Sequence, residues 1–259
     1  MITAYHRPRT MNEALKLLRN PGVVPLGGGT ILSQPQEEQI EVVDLQSLAL
    51  NSVLRKGNDV LLGATSTLQQ LIEFDAIPQA MRTALRLESP INLRNSGTVG
   101  GTLATCDGRS PFLTCLLALD ATVQIISFQP KGIDPSRSRT GYGGKDEIKI
   151  GDYLILRPHG LITGLSFPSS KFSFECVSRT PSDKPLICAA LSRWNSGRTR
   201  LALGGFGKIP VLAMDGTDSD EIVLAARNAC REAMDEWASA EYRVQTAAIL
   251  ANRCLNALQ

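Results

Sequence analysis

Leu26-Gly27-Gly28-Gly29-Thr30, answered about seventy residues later by Thr98-Val99-Gly100-Gly101-Thr102, is the stretch on which the reading of this chain turns. Both segments are built of small residues and both end in a hydroxyl. Glycine has no Cβ and takes positive φ at little cost, so its backbone can approach a ligand closely. Two such turns point to main-chain N–H groups converging from two loops on one anion, most simply a pyrophosphate. The dinucleotide fingerprint G-x-G-x-x-G is absent, as is the P-loop lysine, so the Rossmann and NTPase readings fail on the residues themselves.

Outward from these turns, 259 residues leave room for two or three subdomains with a substantial core. A net charge of +2 is too near balance to imply nucleic acid or an anionic membrane as partner. No apolar run approaches the roughly 20 residues of a membrane span, and the N-terminus, Met1 to Pro8, has no apolar signal core. The expected location is the cytoplasm. Six cysteines are scattered without a C-x-x-C, and His6 and His159 are the only histidines. That pattern predicts buried reduced thiols, no metal centre made by this chain and no His-based triad.

The first predicted element is a helix opened by a capping box at Thr10-Met11-Asn12-Glu13 and closed by Pro21-Gly22. Val23–Leu26 and Ile40–Leu45 read as short strands around the first glycine turn. A second region carries a strand at Val60–Ala64, a capping box at Thr67–Gln70 and a helix from Ile77-Pro78 to about Leu87. A loop over Glu88–Gly97 then leads to the second glycine turn. A short helix at Phe112–Leu119 and a strand at Thr122–Ser127 precede an apolar-poor loop or hairpin over Gln129–Lys149. From Leu161 four strands follow, with Asn195-Ser196-Gly197 as a hairpin turn. The chain ends in two helices, one marked by Glu221, Ala225, Ala229, Ala233 and Trp237, the other running from Glu241 to Leu258. The fold class expected is α+β.

At this point the sequence resembles a known family. Leu26-Gly27-Gly28-Gly29-Thr30 looks like the "AGGT" flavin loop, and Leu93 to Ala104 is similar to the "IRN-x-x-T-[IV]-GGN-[IL]-A" loop. Both are motifs of the FAD-binding medium subunits of the molybdenum hydroxylases, the xanthine dehydrogenase and carbon monoxide dehydrogenase group. Leu116 to Ala121 resembles a "LLALDA" element and Leu161 to Pro168 a "LIT-x-I-x-x-P" strand. Ser178 to Asp183, Leu201 to Pro210 and Ala240-Glu241-Tyr242-Arg243 extend the likeness nearly to the end of the chain.

The resemblance implies two small α/β subdomains of the PCMH-type FAD-binding fold, at 1–54 and 55–165, and a C-terminal antiparallel sheet with helices at 166–259. It implies FAD as cofactor, an iron–sulfur small subunit and a molybdenum-cofactor large subunit as partners, and NAD⁺ or another final electron acceptor. Carried over by position, Gly27, Gly28, Gly29 and Thr30 would bind one phosphate, with Ile31 and Leu32 completing the turn. Thr98, Gly100, Gly101 and Thr102 would hold the other side of the cofactor, and Ile162 would lie near the flavin. A side chain at Gly28 or Gly100 would then fill the space of the phosphate while leaving the fold in place.

Four positions depart from the family pattern: Ile31 replaces a usual Asp or Asn, Thr102 a usual Asn, Pro111 an aspartate, and Glu175 a lysine. They motivate the alternative expectation of a flavin-free scaffold that docks partner subunits. A stand-alone flavin reductase using NAD(P)H is a third reading, distinguished by turnover without partners.

Overall fold

A computed structural model describes residues 1–35, 37–105, 107–127, 145–218 and 221–258. The sequence-predicted loop over Gln129–Lys149 lies outside the described residues, except at its C-terminal end. The first unit contains β1 (Ile2–His6), α1 (Met11–Leu17), β2 (Val23–Leu26) and β3 (Ile40–Asp44), a parallel sheet in the order β1-β3-β2. β1 was not expected, because this edge strand is mostly exposed and carries no apolar alternation. The Thr10 hydroxyl accepts the Glu13 amide at 3.3 Å, but the Glu13 carboxylate accepts the Arg9 amide at 2.9 Å. Only half of the predicted capping box therefore closes on Thr10.

The second unit opens with a hairpin turned at Gly57 with φ +61°: β4 (Val53–Lys56), which was not expected, and β5 (Asp59–Gly63), the strand read at Val60–Ala64. Five helices follow: α2 (Leu68–Glu73), α3 (Gln79–Glu88), α4 (Ile91–Ser96), α5 (Val99–Thr105) and α6 (Pro111–Ala118). At α2 the box is complete, with Gln70 N–H on the Thr67 hydroxyl and Thr67 N–H on the Gln70 side chain. β6 (Thr122–Ile126), β7 (Lys145–Lys149), α7 (Ile150–Leu156) and β8 (Leu161–Pro168) complete the unit. The sheet is antiparallel throughout, in the order β4-β5-β8-β6-β7. β8, the first of the four strands read from Leu161 onward, is its central strand and not part of the same sheet as the other three.

The third unit is an antiparallel meander of β9 (Lys171–Val177), β10 (Ile187–Arg193), β11 (Thr199–Gly204) and the unpredicted β12 (Val211–Gly216). α8 (Ile222–Ala229) and α9 (Ala240–Asn256) pack against it through Ile187, Leu191, Leu203, Leu250 and Cys254. The helical spacing from Glu221 to Trp237 overran: α8 stops at Ala229. The carbonyls of Ala233 and Ala238, in the segment beyond, accept hydrogen bonds from the buried Arg243 guanidinium instead of continuing a helix.

α6 is apolar all round, and each of its eight residues is buried. It packs on α3 from its own unit and on β10 and β11 from the third, so the two units share one core. Beside it, Asp120 accepts from Arg198 at 3.0 Å and Arg200 at 2.9 Å, and Asp215 on β12 takes the same two guanidiniums. The architecture is α+β, as expected. Cys115, Cys188, Cys230 and Cys254 are buried and reduced, and burial pushes the Cys254 thiol up to about 12. Among the described residues no helix is long and apolar enough to cross a membrane, and no cluster of three or more metal-ligating side chains occurs.

Candidate functional site

The two glycine segments meet. β2 delivers the first of them at Leu26, paired with Asp44 of β3 at the carboxyl end of the parallel sheet. A Cβ on Gly27 would stand 2.5 Å from the Thr98 Oγ1, and one on Gly28 would overlap the Ser96 carbonyl oxygen. Gly29 takes φ +70°, which only glycine adopts freely, and turns the chain into Thr30 and Ile31. Gln46 steadies the turn by donating its side-chain amide to the Gly27 carbonyl at 3.1 Å. Gln46 is itself held through its N–H on Asp44, which also accepts from the Tyr5 hydroxyl.

The two segments differ in what they offer a ligand. The amides of Gly28, Gly29 and Thr30 have no acceptor among the described residues. In the second segment the amides are already used. Gly100 donates to Ala64 O at 2.8 Å, Gly101 to Thr98 Oγ1 at 3.2 Å and Thr102 to Thr98 O at 2.8 Å. The sequence reading of two turns with converging amides is corrected here, since Gly100 and Gly101 lie in the first turn of α5 and serve that helix. The loop expected over Glu88–Gly97 is likewise mostly α4, which carries the chain up to the contact with Gly28.

Where the segments meet, a cleft of about 410 Å³ opens. Thr30, Ile31, Gly101 and Thr102 line it, joined by Gln34, Leu68, Leu93, Asp107, Ser182 and Lys184 among others. Gly27, Gly28, Gly29, Leu32, Thr98 and Gly100 form its supporting layer and do not line it directly. Ile162 lies on β8 opposite Ile125, half-buried against the large core. Its neighbour Thr163 accepts the Ala64 amide at 3.0 Å, and Ala64 accepts that of Gly100, so β8 backs the second segment without reaching the cleft.

One lining residue had no sequence signal. Glu88, the last residue of α3, is buried yet charged in kind. It accepts from the Ser110 hydroxyl at 2.6 Å and the Phe112 amide at 3.1 Å, and pairs with Lys184 at 3.2 Å. A buried carboxylate is tolerable only with such partners. These bonds seat the N-terminus of α6 and tie the third unit's Lys184 to the cleft. The partners lie far along the chain from Glu88, so no local pattern reveals them.

Residues 1–136 match the family model described as the FAD binding domain in molybdopterin dehydrogenase. The chain is 26% identical over 281 residues to the carbon monoxide dehydrogenase medium chain of Afipia carboxidovorans, covering 97% of this chain and 94% of that one. It is 30% identical over 229 residues to the glyceraldehyde dehydrogenase medium chain of Sulfolobus acidocaldarius, covering 82% and 78%. A crystal structure of Cu,Mo-CO dehydrogenase shares the fold with TM-score 0.79 at 23% identity, over 100% of this chain and 98% of that one. With 136 of its 259 residues matched, the chain belongs to the FAD-binding domains of the molybdopterin dehydrogenases, an oxidoreductase subunit whose cofactor is FAD.

Proposed function

We propose that the chain is the medium subunit of a molybdenum hydroxylase complex. In this reading electrons leave a substrate at a molybdenum cofactor in a large subunit, cross iron–sulfur clusters in a small subunit, and pass through FAD held here to NAD⁺ or another acceptor. Its relatives named above are medium chains of dehydrogenases, which supports the partners. The observation that carries the reading is the set of amides at Gly28, Gly29 and Thr30 without protein acceptors, beside a cleft closed by Gly101 and Thr102.

These residues fit the group. The three amides are the donors a pyrophosphate needs, and hydrogen bonds to a charged acceptor contribute about 1.5–3 kcal/mol each. On the other side Gly101 and Thr102, which line the cleft, would hold the cofactor, with Ile31 adding apolar surface and Leu32 completing the turn. Gly27, Thr98 and Gly100 keep the two walls in register. Ile162 acts indirectly, through β8. FAD supplies the redox chemistry, taking electrons singly or in pairs, and the chain binds and orients it. We further propose three units with boundaries shifted to keep each sheet whole: 1–52, 53–168 and 169–259, in place of 1–54, 55–165 and 166–259.

The cleft favours this reading over a flavin-free scaffold. The test is the absorption and fluorescence of the purified chain with added FAD. One equivalent bound, with quenched flavin fluorescence, is expected. A chain that stays colourless overturns the reading. Reduction of the FAD-loaded chain by NADH, followed optically, decides whether a nicotinamide is the redox partner.

A further inference from the structure

Trp237, in the connection between α8 and α9, carries two guanidinium groups over its ring. Arg109 stands 4.4 Å from its ring centroid and Arg179 4.5 Å. Neither arginine has a carboxylate partner among the described residues, and the buried Nε of Arg109 makes no hydrogen bond there. A guanidinium on an indole face is held by the ring's quadrupole. Here a single ring holds two guanidiniums from different units.

The two arginines belong to the loops that carry cleft residues. Arg109 follows Asp107 in the loop before α6, and its amide donates to the Asp107 carboxylate at 2.9 Å. Arg179 opens the loop between β9 and β10 that supplies Ser182 and Lys184. Trp237 is itself anchored. The Asp235 carboxylate accepts the Trp237 and Ala238 amides at 2.9 and 3.1 Å, and Arg243 grips the same carboxylate at 2.9 Å. Arg243 is fully buried on α9 and also donates to Leu186 O at 3.0 Å, at the far end of the Arg179 loop. A rigid line thus runs from the core of the third unit to both loops.

We propose that Trp237 is a positioning residue for the cofactor: by holding both Arg109 and Arg179 on its ring it fixes the Asp107 and Ser182–Lys184 walls of the cleft at one separation and so slows FAD release. This rests on the flavin reading of the cleft. Trp237 does not itself line the cleft and acts through the two arginines.

The experiment measures the rate of FAD release from the full chain, from the rise in flavin fluorescence on dilution, well below the melting temperature. It compares wild type, Trp237→Phe and Trp237→Ala, with the melting temperature of each FAD-free chain recorded alongside. Trp237→Ala is expected to release FAD about ten-fold faster, and Trp237→Phe, which keeps a face for both guanidiniums, to stay within about three-fold of wild type. Arg179→Gln, a change at an exposed side chain, should accelerate release about three-fold and supplies the test if the alanine variant folds poorly. Equal release rates in all variants, with only the melting temperature lowered, overturn the inference and leave the flavin reading standing. A wild-type chain that takes up no FAD overturns both.

Discussion

The Cα of Gly28 is pressed against the carbonyl oxygen of Ser96, so that any side chain at position 28 would occupy the space of that oxygen. The glycine is thus required by the packing of one chain segment on another, before any phosphate is considered. The expectation that a bulky residue at Gly28 would remove the cofactor and spare the fold is revised accordingly. Gly28→Ala should cost about 1–3 kcal/mol of stability through displacement of the α4–α5 connection, together with loss of FAD. Denaturant midpoints and flavin content measured on the same preparation check both effects.

Gly29 is the contrasting case. Its Cβ would meet only the Leu26 side chain at 3.5 Å, but its φ of +70° disfavours other residues. Gly29→Ala should lower stability by about 1–2 kcal/mol by backbone strain alone. Gly29→Asn should recover part of this, because asparagine tolerates the left-handed region. Thermal melts of the two variants give the comparison.

Glu88→Ala would remove the acceptor of the Ser110 hydroxyl and the Phe112 amide and one ion-pair partner of Lys184. A loss of about 2–3 kcal/mol is expected, less for Glu88→Gln, which can still accept from Ser110. Lys184→Ala should cost much less, since that lysine is partly exposed. Urea unfolding of the three variants establishes the order.

Acid should act through two aspartates. Arg198 holds the Asp215 carboxyl below its ordinary 3.8 against the opposing effect of burial. At Asp235 burial pushes upward, but Arg243 and the Trp237 and Ala238 amides outweigh it and keep the carboxyl low. For a depressed carboxyl, stability is fully present above the unfolded value near 3.8 and is lost as pH falls through the folded value. The chain should therefore hold its stability down to about pH 4 with respect to these groups and lose it steeply below. Asp215→Asn should flatten that decline in a series of unfolding midpoints against pH.

Added FAD should raise the melting point. Saturation at one hundred times the dissociation constant corresponds to about 2.7 kcal/mol. The same addition to Gly28→Ala should give little or no shift, which a scanning melt with and without FAD resolves.

Much of this site was legible because glycine clusters are local signals. Gly27-Gly28-Gly29 and Gly100-Gly101 mark places where the backbone must approach something closely, and they do. What they approach was not legible: Gly28 meets Ser96 and Gly100 meets Ala64, both protein. Strands with alternating or continuous apolar residues, such as β10 and β11, stood out, whereas the exposed edge strands β1 and β4 had little apolar face to betray them. Glu88 with Lys184, and Trp237 with Arg109, were hidden for another reason. Their partners are distant in sequence, and charge or ring pairing across such distances leaves no periodic trace. Arg243 was visible only inside the quoted Ala240-Glu241-Tyr242-Arg243 signature, without a hint that its guanidinium is fully buried.

Because α6 has no wetted side, neither α3 nor the meander sheet that covers it can be stripped away without exposing an oily rod to water. The flavin cradle and the C-terminal meander must therefore melt in a single cooperative step, and a genetic truncation after β8 would yield an aggregating fragment instead of a minimal flavodomain.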